Sequence, residues 1–270
     1  MISNNVSWQF IDTGARDGRF NMDFDLMLVE KCRAENIATF RLYRWNPYAI
    51  SIGYNQDKVI NEIQFDIPKC RAEKIDIVTR PTGGRAVFHS EEITYSAVFR
   101  SGLPSGIVYQ HISSAIALGL KKYHKNLSDI SLTNNSPDLI KLIKKKLYSI
   151  CFNTQVKNEI NWSGRKLVGS AQRKFGDIIL QHGSILTGRY HVNIVDYLNI
   201  DSTRRIEMKN EIEARTVSVS DITKEKVNYE KLSDCLCKAF AEYFNIRFVK
   251  INRLTQLIGA GDFFSELIMN

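Results

Sequence analysis

A chain of 270 residues, 44% hydrophobic and 24% charged, has the composition of an ordinary globular protein with a substantial core. No apolar run nears the ~20 residues that cross a bilayer, and the opening "MISNNVSWQF" lacks the basic and apolar regions of a secretory signal, so a cytoplasmic protein with no membrane partner is expected. The net charge of +8 favours acidic partners. No nucleic acid is expected among them, because the basic run over 121–148 carries no reader motif and few interleaved aromatics.

In chain order, "WQFIDTG" alternates like an edge strand, and "FNMDFDLMLVEKCRAEN" sets Phe20, Phe24, Met27, Leu28 and Lys31 on one side of an amphipathic helix. "ATFRLYRW" reads as a strand ended by Asn46-Pro47, and "AISIGYN" as another. A short helix over Phe65–Lys74 precedes the strands "IDIVTR" and "EITYSAVFR". Residues 105–122 return to helical spacing. Residues 125–137 are polar and turn-rich, and a short basic helix follows that either docks a partner or is a solvated face. "SICFNTQV", "EINWSG", "RKLVGSAQRKFG" and "DIILQHGSIL" read as a meander of short strands. Residues 201–222 read as a charged connecting segment, followed by the helix "YEKLSDCLCKAFAEYF" and a last strand, "IRFVKI". Clustered, mostly antiparallel strands with helices outside make an α+β class. The expected organisation is one catalytic domain over 1–270, with a C-terminal helical segment from about 201.

Three segments could carry chemistry. In "VTRPTGGRAVFHSEEITYS", Gly83 and Gly84 allow close backbone approach or positive φ, while Arg80 and Arg85 supply cationic forks beside them. The plain alternative is a β-turn joining "IDIVTR" to "EITYSAVFR" with solvated arginines, and His89 is equally open on its own. In "GRKLVGSAQRKFGDIILQHGSIL", Lys166 precedes Gly169, Ser170 and Ala171, and Gln181, His182 and Gly183 follow; a hairpin with a surface lysine is the alternative. The five cysteines (Cys32, Cys70, Cys151, Cys235, Cys237) are scattered, form no CxxC and have no histidine at metal-ligand spacing, so neither a disulfide framework nor a metal site is indicated. Inert buried thiols suit four of them. Cys151 could be a nucleophile if a nearby ammonium favours its thiolate.

Together, "RPTGGRAVFHSEEITYS", "GRKLVGSAQ" and "LQHGSIL", in that order and supported by "FNMDFD" and "RLYRWNPYAISIGYNQ", resemble the lipoate-protein ligase A and octanoyltransferase group over roughly residues 7–200. The resemblance implies the biotin/lipoate protein ligase catalytic fold, with mixed, largely antiparallel sheets and flanking helices. ATP-dependent ligases of the group usually carry Gly-Gly-Gly-Ala in the first motif and an Asn-Asp stretch before the lysine. This chain has "GGRAVFH", "ITYS", "SAQ" and "LQHGS", with Cys-Phe fifteen residues before Lys166 and "NTQVKN" in place of the family's Pro-Ser-containing loop. That pattern is similar to the ligase-like octanoyltransferases.

By this resemblance Cys151 would take an octanoyl group from acyl carrier protein as a thioester, and Lys166 would favour the thiolate. Arg80, Gly83, Gly84, Arg85, His89, Thr94, Tyr95, Gly169, Ser170, Ala171, Gln181, His182 and Gly183 would line the acyl site. A lysine of a lipoyl domain, or of glycine-cleavage H protein, would accept the group, and no cofactor would be needed because thioester to amide runs downhill. Three alternatives stand: an ATP-dependent lipoate ligase, an amidotransferase that takes octanoate from H protein, and a silent binding protein that kept the fold.

Overall fold

The computed structural model describes residues 6–55, 65–133 and 158–251. Eleven strands occur among them: β1 Ser7–Arg16, β2 Ile37–Trp45, β3 Ala49–Gly53, β4 Asp76–Arg80, β5 Val87–His89, β6 Glu92–Arg100, β7 Ser131–Leu132, β8 Ile160–Trp162, β9 Arg165–Phe175, β10 Ile178–Leu186 and β11 Phe248–Ile251. The helices are α1 Gly18–Glu35, α2 Ile67–Ala72, α3 Ser105–Tyr123, α4 Ser202–Arg215, α5 Val219–Thr223 and α6 Tyr229–Phe244, with a 3₁₀ segment over Tyr190–Tyr197. The mixed α+β class therefore holds.

The strands form an eight-stranded sheet in the order β11-β1-β2-β6-β10-β9-β8-β7 and a three-stranded sheet in the order β4-β3-β5. In the large sheet β11, β1 and β2 run parallel, and every pairing from β2 to β7 is antiparallel. One face packs on α3 and α6, where Ile112, Ile116, Leu236 and Phe240 meet Phe40, Tyr95 and Phe99. The opposite face packs on α1, whose Phe20, Phe24 and Leu28 meet Ile11, Val98 and Leu180. Lys31, expected on that side, is largely covered, its side chain 13% exposed, and pairs with Glu35. In the small sheet Ile50 and Phe88 pack on Val195 and Tyr197.

Several expectations change. β1 is not an edge strand, because β11 returns from the far end of the chain to pair with it. The segment over 201–222 is two helices. Asp201 caps α4 by accepting from Arg204 N, Met208 and Ile212 bury its apolar side, and Ser218 with Asp221 forms a capping box on α5. β4 and β6 are not joined by a simple turn. They belong to different sheets, and β5 lies between them in the chain and pairs with β3. The predicted meander holds over β8, β9 and β10, while "SICFNTQV" and the basic helix lie outside the described residues. No helix among the described residues is long and apolar enough to cross a membrane.

Candidate active site

β10 is the central plank of the site. Its register sets His182 opposite Ala171 of β9 and Ser96 of β6, and Ser184 opposite Gly169 and Thr94. Side chains alternate across a strand, so these residues share the face turned toward α1 and the small sheet. Tyr95, Gln181, Gly183 and Ser170 belong to the alternate positions. There the Tyr95 hydroxyl meets Ser170 Oγ at 2.8 Å and accepts from Gln181 Nε2 at 2.9 Å, and Gln172 Nε2 donates to Gln181 Oε1 at 3.0 Å. Burial pushes the Tyr95 phenol up to about 12, so it stays a neutral hydroxyl. A Cβ at position 183 would run into Ser170 Oγ and come within 2.8 Å of Tyr95 Cε1 and 2.9 Å of the Gly169 carbonyl, which accounts for the glycine.

Under the pocket face, two carboxylate–imidazole–hydroxyl chains cross from sheet to sheet. Asp25 Oδ1 accepts from Arg41 Nη1 and Ser96 Oγ, each at 2.8 Å, and Oδ2 meets His182 Nδ1 at 2.9 Å. Thr82 Oγ1 lies 2.7 Å from His182 Nε2. Burial raises the Asp25 carboxyl, but Arg41 and then His182 outweigh it and hold it below the usual range. Burial lowers His182 by more than Asp25 raises it, so the ring is neutral at pH 7. The neutral tautomer that fits donates Nδ1–H to Asp25 and accepts the Thr82 hydroxyl proton at Nε2.

In the second chain Glu92 Oε1 meets His89 Nδ1 at 2.9 Å, Thr94 Oγ1 at 2.5 Å and Ser184 Oγ at 2.8 Å, and His89 Nε2 meets Ser51 Oγ at 2.7 Å. Burial raises Glu92, and His89 with the two hydroxyls more than reverses it. Trp45 stacks on the His89 ring at 4.0 Å between centroids and donates Nε1–H to Thr94 Oγ1 at 2.7 Å.

The first glycine motif forms the rim. Arg80 is buried and binds the turn that follows it: Nε and Nη2 donate to Gly83 O, Nη2 to Arg85 O at 2.7 Å, and Nη1 to Ser51 O at 3.0 Å. Gly84 stands at φ +98°, and a Cβ there would meet Arg80 Nη2 at 2.7 Å. The arginine thus shapes the loop as well as facing the cavity. Arg85 is half-buried, and its carbonyl is one of the groups Arg80 holds.

These elements enclose about 430 Å³ of empty space, open mouth included, walled on the apolar side by Met22, Tyr43, Trp45 and Val87. Of the residues the sequence singled out, Arg80, His89, Thr94, Gly169, Ser170, Ala171, His182 and Gly183 line it. Gly83, Gly84, Arg85, Tyr95 and Gln181 support these from behind or at the rim. Ser51, Arg80 and His89 line the pocket from the small sheet, and Thr94, Ser170, His182 and Ser184 from the large one.

Lys166 reaches the same side of the sheet through a β-bulge. Ile160 faces Val168, but Asn161 faces Lys166, so β9 carries one extra residue at Leu167. Ile160 and Val168 enter the core against α3, and Asn161 and Lys166 therefore turn to the face of Gly169. There Lys166 Nζ pairs with Glu159 Oε1 at 2.7 Å, and each side chain is 1% exposed. A buried lysine replaces the surface lysine of a plain hairpin. Cys151 lies outside the described residues. Burial raises the thiols of Cys32, Cys70, Cys235 and Cys237, as suits inert cysteines, with Cys32 and Cys237 reaching about 11. Among the described residues no group of three His, Cys, Asp or Glu side chains could hold a metal ion.

Sequence reasoning missed Glu159, Asp25, Glu92, Ser51 and Thr82. A signal existed for Asp25, a charged residue inside the apolar side of α1 and within the "FNMDFD" match. Residues 17–241 match the lipoyl protein ligase A/B catalytic domain. The chain belongs to that family. Among its relatives, the octanoyltransferase LipM of Staphylococcus aureus is 32% identical over 247 residues, which are 89% of this chain and 88% of that protein. The LipM of Clostridioides difficile is 32% identical over 253 residues, 90% and 89% of the two chains. Solved structures agree on the fold. The bipartite lipoate protein ligase of Thermoplasma acidophilum, studied with its E2 lipoyl domain, superposes with a TM-score of 0.70 at 18% identity, covering 93% of this chain and 88% of that one. A lipoate-protein ligase A bound with ATP gives 0.68 at 19% identity, covering 92% and 89%.

Proposed function

We propose that this acyltransferase moves an octanoyl group from acyl carrier protein to the ε-amine of a lipoyl-domain lysine through a thioester on Cys151. The Cys151 thiolate attacks the acyl carbonyl carbon, the tetrahedral oxyanion collapses, and the carrier's pantetheine thiolate leaves and takes up a proton. The acceptor lysine, having lost a proton, attacks the enzyme thioester. The nitrogen gives up a further proton to solvent, the second oxyanion collapses to the amide, and the Cys151 thiolate is restored. No nucleotide is consumed.

The observation that carries this reading is Lys166, buried on the same sheet face as the walls of an apolar-sided pocket. A cation there favours a thiolate and a developing oxyanion alike. Met22, Tyr43, Trp45 and Val87 suit the alkyl chain, and backbone N–H groups near Gly169–Ser170 or Gly83–Gly84 suit the oxyanion. Losing one such donor typically costs about 3–4 kcal/mol of barrier. The relatives named octanoyltransferase support the acyl group, and the net charge of +8 suits encounter with acidic carrier and lipoyl domains in the cytoplasm.

Intact-mass measurement after mixing the protein with octanoyl-acyl carrier protein tests the proposal. A stable octanoyl adduct that is lost in Cys151→Ala is expected. Activity that instead demands ATP and free lipoate would make the chain a ligase, and an adduct obtained only from octanoylated H protein would make it an amidotransferase.

A further inference from the structure

Lys166 and Glu159 form a pair that the transfer chemistry does not itself require. Both side chains are removed from solvent, and they lie 2.7 Å apart. An ammonium buried without a counter-charge tends to shed its proton, whereas a carboxylate within hydrogen-bond reach favours the charged form. Both backbones are also fixed. The Glu159 carbonyl accepts from Thr133 N at 2.9 Å and Thr133 Oγ1 at 3.1 Å, and the Lys166 carbonyl accepts from Val217 N at 3.0 Å. The bulge at Leu167 is what turns Lys166 to Glu159's side of β8.

We propose that Glu159 is a positioning residue for the transfer reaction, holding Lys166 as an ammonium and fixing the direction of its Nζ, so that Lys166 serves the thiol as a cation and not as a proton acceptor. The assignment deepens the octanoyl-transfer reading and rests on it, since Lys166 has a chemical task only there. Of the other elements around Lys166, helix α4, which packs on β9, carries Glu211 and Glu213 toward its C-terminal end. Asn161 stands opposite on β8, and Arg165 stacks over Trp162 beside it. Thr216, bridged to Lys166, is followed back along the chain by Arg215 and is bonded at 3.0 Å to His191 Nε2, and burial keeps that imidazole neutral by holding it at about 4.

The test is a pH titration of the lysine side chains by NMR in protein labelled with ¹³C and ¹⁵N lysine, with the Lys166 signal identified by its loss in Lys166→Arg. In the wild-type protein Lys166 should stay an ammonium at least to the ordinary lysine value of about 10.4. Glu159→Gln should move its midpoint down by about one pH unit or more, and Glu159→Asp should recover part of the shift. A wild-type midpoint below the ordinary value overturns the proposal even if no variant folds, and so does an unchanged midpoint in Glu159→Gln. A merely structural ion pair would move the midpoint as well, so the same variants are also read for Cys151 alkylation at neutral pH, which Glu159→Gln should slow and Glu159→Asp partly restore; unchanged alkylation in a folded Glu159→Gln overturns the positioning role. Neither readout needs an acyl donor, so failure to form the octanoyl adduct would sink the transfer reading separately.

Discussion

His182 Nδ1 lies 2.9 Å from the Asp25 carboxylate across 157 residues of sequence, and this contact ties α1 to the central strand β10 beneath the pocket. Asp25 is also the ion partner of Arg41, and neither side chain is exposed to solvent. Asp25→Asn leaves the Arg41 guanidinium buried without its counter-charge, which typically costs about 3–5 kcal/mol. The urea midpoint should fall accordingly, with the slope of the transition unchanged. A loss below about 1 kcal/mol would mean that Asn21 and Thr13, which also bond Arg41, hold the charge without Asp25.

Much of the strand and helix pattern was legible because periodicity is local. The stretch "EITYSAVFR" becomes a strand with every residue but the last buried, and "YEKLSDCLCKAFAEYF" buries Leu232, Leu236 and Phe240, whereas Tyr243 and Phe244, which the spacing sets on the same face, stay exposed and half-buried. The site was legible in part, because glycines and charges beside them mark close backbone approach. Glu159 was not, since its role appears only when a bulge brings Lys166 opposite β8. The role of Asp25, set among the apolar positions of α1, appears only when His182, 157 residues away, is brought onto it. The pairing of β11 with β1 joins opposite ends of the chain, and no local pattern reports it.

His191 predicts a pH dependence of stability. Burial lowers its pKa from 6.5 to about 4, so the folded state favours the neutral ring. Its contribution is therefore fully present above pH 6.5 and is lost as pH falls toward 4, amounting to about 3 kcal/mol. The depressed Asp25 and Glu92 act lower, and their contributions disappear only as pH drops through and below the ordinary carboxylate range. Urea midpoints measured between pH 7 and 4 should decline in the wild-type protein and decline less steeply in His191→Asn.

Gly183→Ala tests whether the close approach of Tyr95 shapes the pocket. The added methyl runs into Ser170 Oγ and meets the Tyr95 ring edge at 2.8 Å and the Gly169 carbonyl at 2.9 Å, and a backbone carbonyl cannot swing aside as a side chain can. Overpacking of this kind typically costs about 1–3 kcal/mol. Transfer activity should fall further than stability does, because the shifted Tyr95 carries Ser170 with it. Activity and stability falling together would place Gly183 in the core alone.

Lys166→Ala tests the electrostatic task of the buried cation. With Nζ removed, the Cys151 thiol of the proposed mechanism returns toward the ordinary value of about 8.5. Its alkylation by iodoacetamide at neutral pH, read by peptide mass, should slow about tenfold for each pH unit by which the thiol rises. Because the substitution also strands Glu159 in a buried site, Lys166→Ala combined with Glu159→Gln is the better-folded background. The double variant should show the same slow alkylation with stability largely recovered. Alkylation as fast as in the wild-type protein, in a double variant that folds, would remove Lys166 from the activation of the thiol.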